Sequence, residues 1–334
     1  MVLDRRELFG TALAAGLTAA TGASAQQWGD PPTPAARDPD APFWPSRESF
    51  PLWPNSPPGT PRQLPAFNPT MNGPHGAREL WLRGIANPEV HVYRPARADG
   101  SALLAFPGGG YGFLSVQNEG LDVAERFNAE HTTVFILTYR LPGEGWGNRH
   151  LVPLQDAQRA MRLIRSRAAD LRIDPARLGV IGFSAGGHLA ADLATAYAES
   201  TYAPVDEADR LPAKPAFAAL IYAVTTLRPR EGHRGSLDNL LGPNPATTLI
   251  DARSPLLHVD AQTPPCFLVH ALDDGTVPVA NSIDWLAACR VAKVPAEAHF
   301  FAEGGHGFGL HLPRDQSGSR WPDLFALWMR RHGG

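Results

Sequence analysis

Gly182-Phe183-Ser184-Ala185-Gly186 lies where an apolar run, Leu178 to Phe183, gives way to an alanine-rich stretch of helical character. A serine between two glycines at a strand-to-helix turn is the pattern of a nucleophile elbow. The turn is strained, its hydroxyl projects from the carboxyl edge of a sheet, and side chains two residues to either side would strike neighbouring backbone. The helix start aims free N–H groups and the positive end of the helix dipole at any anion formed there. Taken alone, five such residues also describe an ordinary small-residue turn. A serine hydroxyl is a weak nucleophile until a base takes its proton, and the base in turn needs a carboxylate to orient it. Both occur downstream, in the order Ser, Asp, His: Asp274 in Asp274-Gly275-Thr276-Val277-Pro278, and His306 in Gly304-Gly305-His306-Gly307-Phe308-Gly309. Each follows a strand-like run, so the three side chains are expected to meet at one edge of a sheet, where open α/β folds bind ligands. Asp273 competes with Asp274, and the D-x-x-V-P pattern, which begins at Asp274, selects the latter. His188, His270, His299 and His311 read as structural or solvent-facing. Only His306 has flanking glycines that free a loop to approach a serine.

A fourth element is Pro107-Gly108-Gly109-Gly110-Tyr111, directly after the apolar run Ala102 to Phe106. Backbone without side chains brings N–H donors against a substrate oxygen, so Gly109 and Gly110, joined by Ala185, are the expected oxyanion hole. A dinucleotide loop would need a third glycine at position 113, which is Phe113.

These loops need a scaffold, and the chain offers one in alternation. Val90 to Tyr93, Ala102 to Phe106, Thr132 to Tyr139, Leu178 to Phe183, Phe217 to Val224, Phe267 to Ala271 and Ala298 to Phe301 read as strands. Between them Leu121 to Ala129, Leu154 to Ala169, Gly186 to Ala196, Val279 to Ala292 and Asp323 to Arg331 carry apolar residues at helical spacing. Such alternation predicts an α/β fold: a mostly parallel central sheet with helices on both faces. Leu227 to Gln262 lacks periodicity and holds four prolines, so it reads as a loop or short-helix excursion, too short for a large lid domain.

The 334 residues carry 30 Lys plus Arg against 33 Asp plus Glu, and a net charge of −3 gives no general attraction for nucleic acid or anionic lipid. With 43% hydrophobic residues the chain can bury a core, while 33 prolines and 32 glycines promise many turns. Cys266 and Cys289 read as two buried thiols, and two cysteines without clustered histidines do not make a metal site.

Residues 1–25 read as a secretory signal peptide. Arg5 and Arg6 precede the uncharged stretch Leu8 to Ala20, and Ala23-Ser24-Ala25 supplies a small-x-small cleavage pattern. The paired arginines resemble a twin-arginine signal, with Asp4 in place of the usual Ser or Thr. The expectation is an exported protein, periplasmic or secreted, with no stable membrane insertion after processing. Residues 26–73 form a proline-rich extension whose aromatics, from Phe43 onward, are expected to pack on the body, and residues 74–334 form the catalytic domain.

Five motifs agree in order: the PGGGY loop, Tyr139-Arg140-Leu141-Pro142, Gly182 through Ala190, the Asp274 motif and Gly305 through Gly309. Together they resemble the acetyl-xylan-esterase-like bacterial α/β-hydrolases, serine carboxylesterases, over roughly Ile85 to Met329. The resemblance implies Ser184, Asp274 and His306 as the catalytic triad and the glycine loop as the oxyanion turn, although Pro107 stands where lipases carry the histidine of HGGG. It also implies short-chain acyl esters as substrates, often acetyl groups on plant polysaccharides such as xylan. Acyl transfer through a serine requires neither metal nor organic cofactor. Trp146 and Tyr111 are the expected substrate contacts, the indole stacking on a sugar ring. Glu119, Arg140 and Asp156 read as capping or ion-pairing groups. A serine peptidase, a longer-chain lipase, or a non-catalytic carbohydrate-binding homologue are the alternatives on the same scaffold.

Overall fold

The apolar runs read from the sequence form strands β5 (Glu89–Tyr93), β6 (Ala102–Phe106), β8 (Thr133–Thr138), β9 (Leu178–Phe183), β10 (Ala218–Ile221), β11 (Cys266–Ala271) and β12 (Ala296–Phe301). Burial explains their legibility, because β6, β8, β9, β10 and β11 are covered at every position, and a strand buried on both faces must be apolar throughout. The computed structural model describes residues 32–74 and 77–332, so the predicted leader, residues 1–25, lies outside the described residues. Among the described residues the main sheet has the order β12-β11-β10-β9-β6-β8-β5, closed at its edge by β2 (Ser49–Pro51). The six strands from β12 to β8 are parallel, and β5 and β2 join antiparallel. Helices surround the sheet: α1 (Asp122–Asn128), α2 (Val152–Ser166), the short α3 (Ala168–Leu171), α4 (Ser184–Ala196), α5 (Arg234–Leu241), α6 (Thr247–Ala252), α7 (Ala280–Ala292) and α8 (Trp321–His332). No described helix is long and apolar enough to cross a membrane.

The proline-rich segment is part of this body. Phe50, Leu52 and Trp53 are buried, whereas Phe43 stays largely exposed. Trp53 Nε1 donates to Asp156 at 2.9 Å, and Arg159 and Arg140 on the body donate to the carbonyls of Leu52 and Pro58. A second, antiparallel sheet joins β1 (Thr33–Pro34), β3 (Asn68–Asn72), β4 (Glu79–Arg83) and β7 (Leu114–Ser115) in the order β1-β3-β4-β7. A division of the chain at residue 73 falls in the turn of the β3–β4 hairpin, so the extension and the body share this sheet. The excursion 227–262 carries α5 and α6. Both cysteines are buried and free, and the Cys266 thiol donates to the Pro264 carbonyl.

Candidate active site

β9 ends at Phe183 in extended backbone, and the next residue, Ser184, turns to φ +51° as the first residue of α4. The two flanking glycines are obligatory for steric reasons. A Cβ on Gly182 would lie 2.2 Å from the Gly186 carbonyl oxygen, and one on Gly186 would lie 2.0 Å from the carbonyl oxygen of Phe106 in β6. The turn is therefore packed against the strand that leads into the glycine loop.

The loops after β11 and β12 bring the other two groups to this serine. Ser184 Oγ lies 2.8 Å from His306 Nε2, and His306 Nδ1 lies 2.7 Å from Asp274 Oδ2. The carboxylate at Nδ1 places the ring hydrogen there, so Nε2 is left to accept the serine proton. Asp274 Oδ1 accepts the N–H groups of Thr276 and Val277, and Oδ2 also takes a bond from His270 Nε2 at 3.2 Å. Burial alone would raise the Asp274 pKa, but the bonds from His270, His306 and Val277 outweigh it and hold the group ionised, well below the usual carboxylate range. Asp273 accepts the Gly305 N–H instead. The loop carrying His306 is tied at two further points: Asn118 donates to the Gly307 carbonyl, and the Gly309 N–H donates to Tyr222 Oη. The Tyr222 ring lies edge-on to His306 with centroids 5.0 Å apart.

The glycine loop is braced from three sides. Gly108 N–H donates to Glu119 at 2.6 Å, the Pro107 carbonyl accepts Tyr139 O–H, and the Gly110 carbonyl accepts Asn239 Nδ2 from α5. Among the described residues no protein acceptor takes the N–H of Gly109, Gly110 or Ala185. Gly109 and Gly110 line, with Ser184 and His306, a cavity of about 1070 Å³. Glu119 sits in a wide π-type turn, fully buried, its second oxygen accepting Tyr222 O–H at 2.8 Å. Burial pushes its pKa up to about 8 against the pull of both bonds.

Two expected substrate contacts are corrected. Tyr111 is buried: it has φ +62°, and its hydroxyl lies 2.8 Å from His188 Nδ1 beneath the loop. Trp146 is also buried, its indole lying under the Arg140 guanidinium 4.8 Å away, where Arg140 is paired with Asp156. Neither lines the cavity. The aromatic wall is instead Trp81 of β4 stacked on Phe113, with centroids 3.8 Å apart and Arg83 over both rings. The pattern Leu80-Trp81-Leu82 between charged residues could have marked that strand. His233, Asn239 and Glu79 also line the cavity, and no local motif pointed to them.

A serine hydroxyl bonded to an imidazole that a carboxylate orients, beside free backbone N–H groups, is equipped to attack a carbonyl carbon and stabilise the resulting oxyanion. Comparison with known proteins agrees with this chemistry. The BD-FAE family model matches residues 91–288. The chain is 33% identical over 226 residues to the acetylxylan esterase of Xylanibacter ruminicola, covering 66% of this chain and 44% of that protein. To endo-1,4-beta-xylanase B of Butyrivibrio fibrisolvens it is 34% identical over 219 residues, covering 66% of this chain and 34% of that protein. The chain thus spans less than half the length of these two relatives. Among solved structures, the acetyl ester-xyloside bifunctional hydrolase of Caldicellulosiruptor lactoaceticus superposes with a TM-score of 0.71 at 33% identity, covering 86% of this chain and 97% of that one.

Proposed function

The chain belongs to the BD-FAE family, and from that premise we propose that it is a serine esterase acting on short-chain acyl esters, in particular acetyl groups on polysaccharides such as xylan. Support comes first from the unbroken chain Ser184 Oγ, His306, Asp274, with bonds of 2.8 and 2.7 Å. Ser184 Oγ attacks the ester carbonyl while His306 Nε2 takes its proton and Asp274 holds the imidazolium. The N–H groups of Gly109, Gly110 and Ala185 receive the carbonyl oxygen as it becomes an oxyanion. Collapse of the tetrahedral adduct expels the alcohol, which leaves with the proton from His306, and an acyl-serine remains. Water deprotonated by the same histidine then releases the acid and restores Ser184. The substrate class rests on the named relatives above and on a cavity whose lining mixes an aromatic pair with Glu79, Asn118 and His311, groups suited to a polyhydroxylated alcohol. Acetate release from acetylated xylan, pectin and simple sugar acetates, with Ser184→Ala as control, tests the reading. The expected result is release from xylan and a loss on the order of 10⁶ in kcat for the variant. Cleavage of peptides or long-chain acyl esters in preference to acetates would contradict it. Export is part of the proposal, supported by the arginine pair and the Ala23-Ser24-Ala25 pattern, and N-terminal sequencing of periplasmic material tests it.

A further inference from the structure

His233 stands at the start of α5, in the excursion that the sequence left without a role. Its Nδ1 accepts the backbone N–H of Ser236 at 3.2 Å and lies 2.9 Å from the Ser236 hydroxyl, capping the helix. A ring nitrogen that accepts an amide N–H has no hydrogen of its own, so in the neutral imidazole the hydrogen sits on Nε2. Burial, reinforced by the nearby His306, holds the His233 pKa below the usual histidine value even though Asp274 pulls the other way, so the ring is neutral at pH 7. Among the described residues Nε2 has no partner. The ring lines the same cavity as Ser184 and His306, and it stands beside the glycine loop, where a Cβ on Gly110 would meet its Cε1 at 3.5 Å. The helix cap thus fixes the tautomer of a ring that lines the cavity and leaves its donor without a protein partner. A donor set in a site in this way discriminates by what fails to meet it: an ester of an apolar alcohol leaves it unpaired, and an ester of a polyol does not.

We propose that His233 is a substrate-binding residue whose Nε2–H donates a hydrogen bond to a hydroxyl or ring oxygen of a sugar esterified at Ser184's carbonyl target, so that the capped helix selects sugar esters over simple ones. The proposal rests on the esterase reading. Two substitutions in the full chain divide the capping role from the binding role. His233→Asn keeps an acceptor for the Ser236 N–H and draws the donor back from the Nε2 position, out of reach of a partner placed for the imidazole. His233→Gln places an amide N–H near the Nε2 position and weakens the cap. Kinetics on acetylated xylobiose and on p-nitrophenyl acetate are read together with the thermal midpoint. For His233→Asn, kcat/KM on the sugar ester should fall about tenfold more than on the aryl ester, the scale of one neutral hydrogen bond, with the change in KM and the midpoint held. His233→Gln should recover most of the sugar preference despite a lower midpoint. The proposal is overturned if the two esters lose activity in equal proportion, or if KM follows the cap, rising in the Gln variant and not in the Asn variant. A wild-type chain that cleaves the aryl ester and ignores the sugar ester sinks the His233 proposal and the choice of polysaccharide substrate, and leaves the serine-esterase chemistry standing. A chain that cleaves neither sinks the esterase reading first and this proposal with it.

Discussion

Glu119 shows how much of the site lies beneath the residues that react. One oxygen holds the Gly108 N–H and the other the Tyr222 O–H, while Tyr222 in turn receives the Gly309 N–H. A single buried carboxyl therefore couples the glycine loop to the loop of His306. Removing it in Glu119→Ala should lower kcat about ten- to a hundredfold through misplacement of the Gly109 and Gly110 donors, and Glu119→Gln should lose less. An unchanged kcat in the alanine variant would show that the loop holds without it. The same residue has a pH signature. Its pKa is raised from 4.5 to about 8 on folding, so the folded chain keeps a proton that the unfolded chain sheds above pH 4.5. Stability relative to Glu119→Gln should accordingly decline from pH 5 to pH 8, measured by thermal unfolding, and parallel curves would contradict the assignment. Ser184, Asp274 and His306 were legible because each stands in a short motif that serves its own loop. Glu119 and Tyr222 were not, since the bond between them joins residues about a hundred apart, and no local pattern encodes a buried polar contact; His270, four residues from Asp274, reads only as a strand residue. Tyr111 and Trp146 were misread for a related reason: position in a loop does not give side-chain direction, and φ +62° turns Tyr111 inward.

At the scale of elements, the strand–turn–helix unit of β9 and α4 carries the geometry. Gly186 lies against the end of β6, so Gly186→Ala should destabilise the protein by about 3 kcal/mol or more, seen as a lowered denaturation midpoint, because backbone cannot yield as a side chain can. A variant as stable as wild type would mean that β6 and the elbow are not in this contact. Strands β6, β8, β9, β10 and β11 were readable because burial on both faces demands continuous apolar runs. β2, β3 and β4 were not: β2 and β3 are five residues or fewer, contain proline, and pair antiparallel near the sheet edges, where neither a run nor strict alternation is required. That gap also hid Trp81, and with it the aromatic wall of the cavity.

In the whole molecule, the proline-rich segment is fastened to α2, which packs on the elbow helix α4. Trp53 is buried between that segment and α2, bonded to Asp156, whose other bonds hold Arg140. Trp53→Ala should cost about 3 to 5 kcal/mol by chemical denaturation, and a cost below about 1 kcal/mol would mark the segment as an accessory. Phe50 and Trp53 foretold this packing while Phe43 stays exposed, and the sharing of a sheet between extension and body was not legible, because strand pairing across a proline-rich stretch has no sequence signature. The convergence of three distant loops on one hydroxyl remains the central claim, and labelling with a fluorophosphonate followed by peptide mass spectrometry tests it most directly. The adduct should map to Ser184, vanish in Ser184→Ala and form far more slowly in His306→Ala. Labelling at another residue, or ester hydrolysis that persists without any adduct at Ser184, would contradict the account.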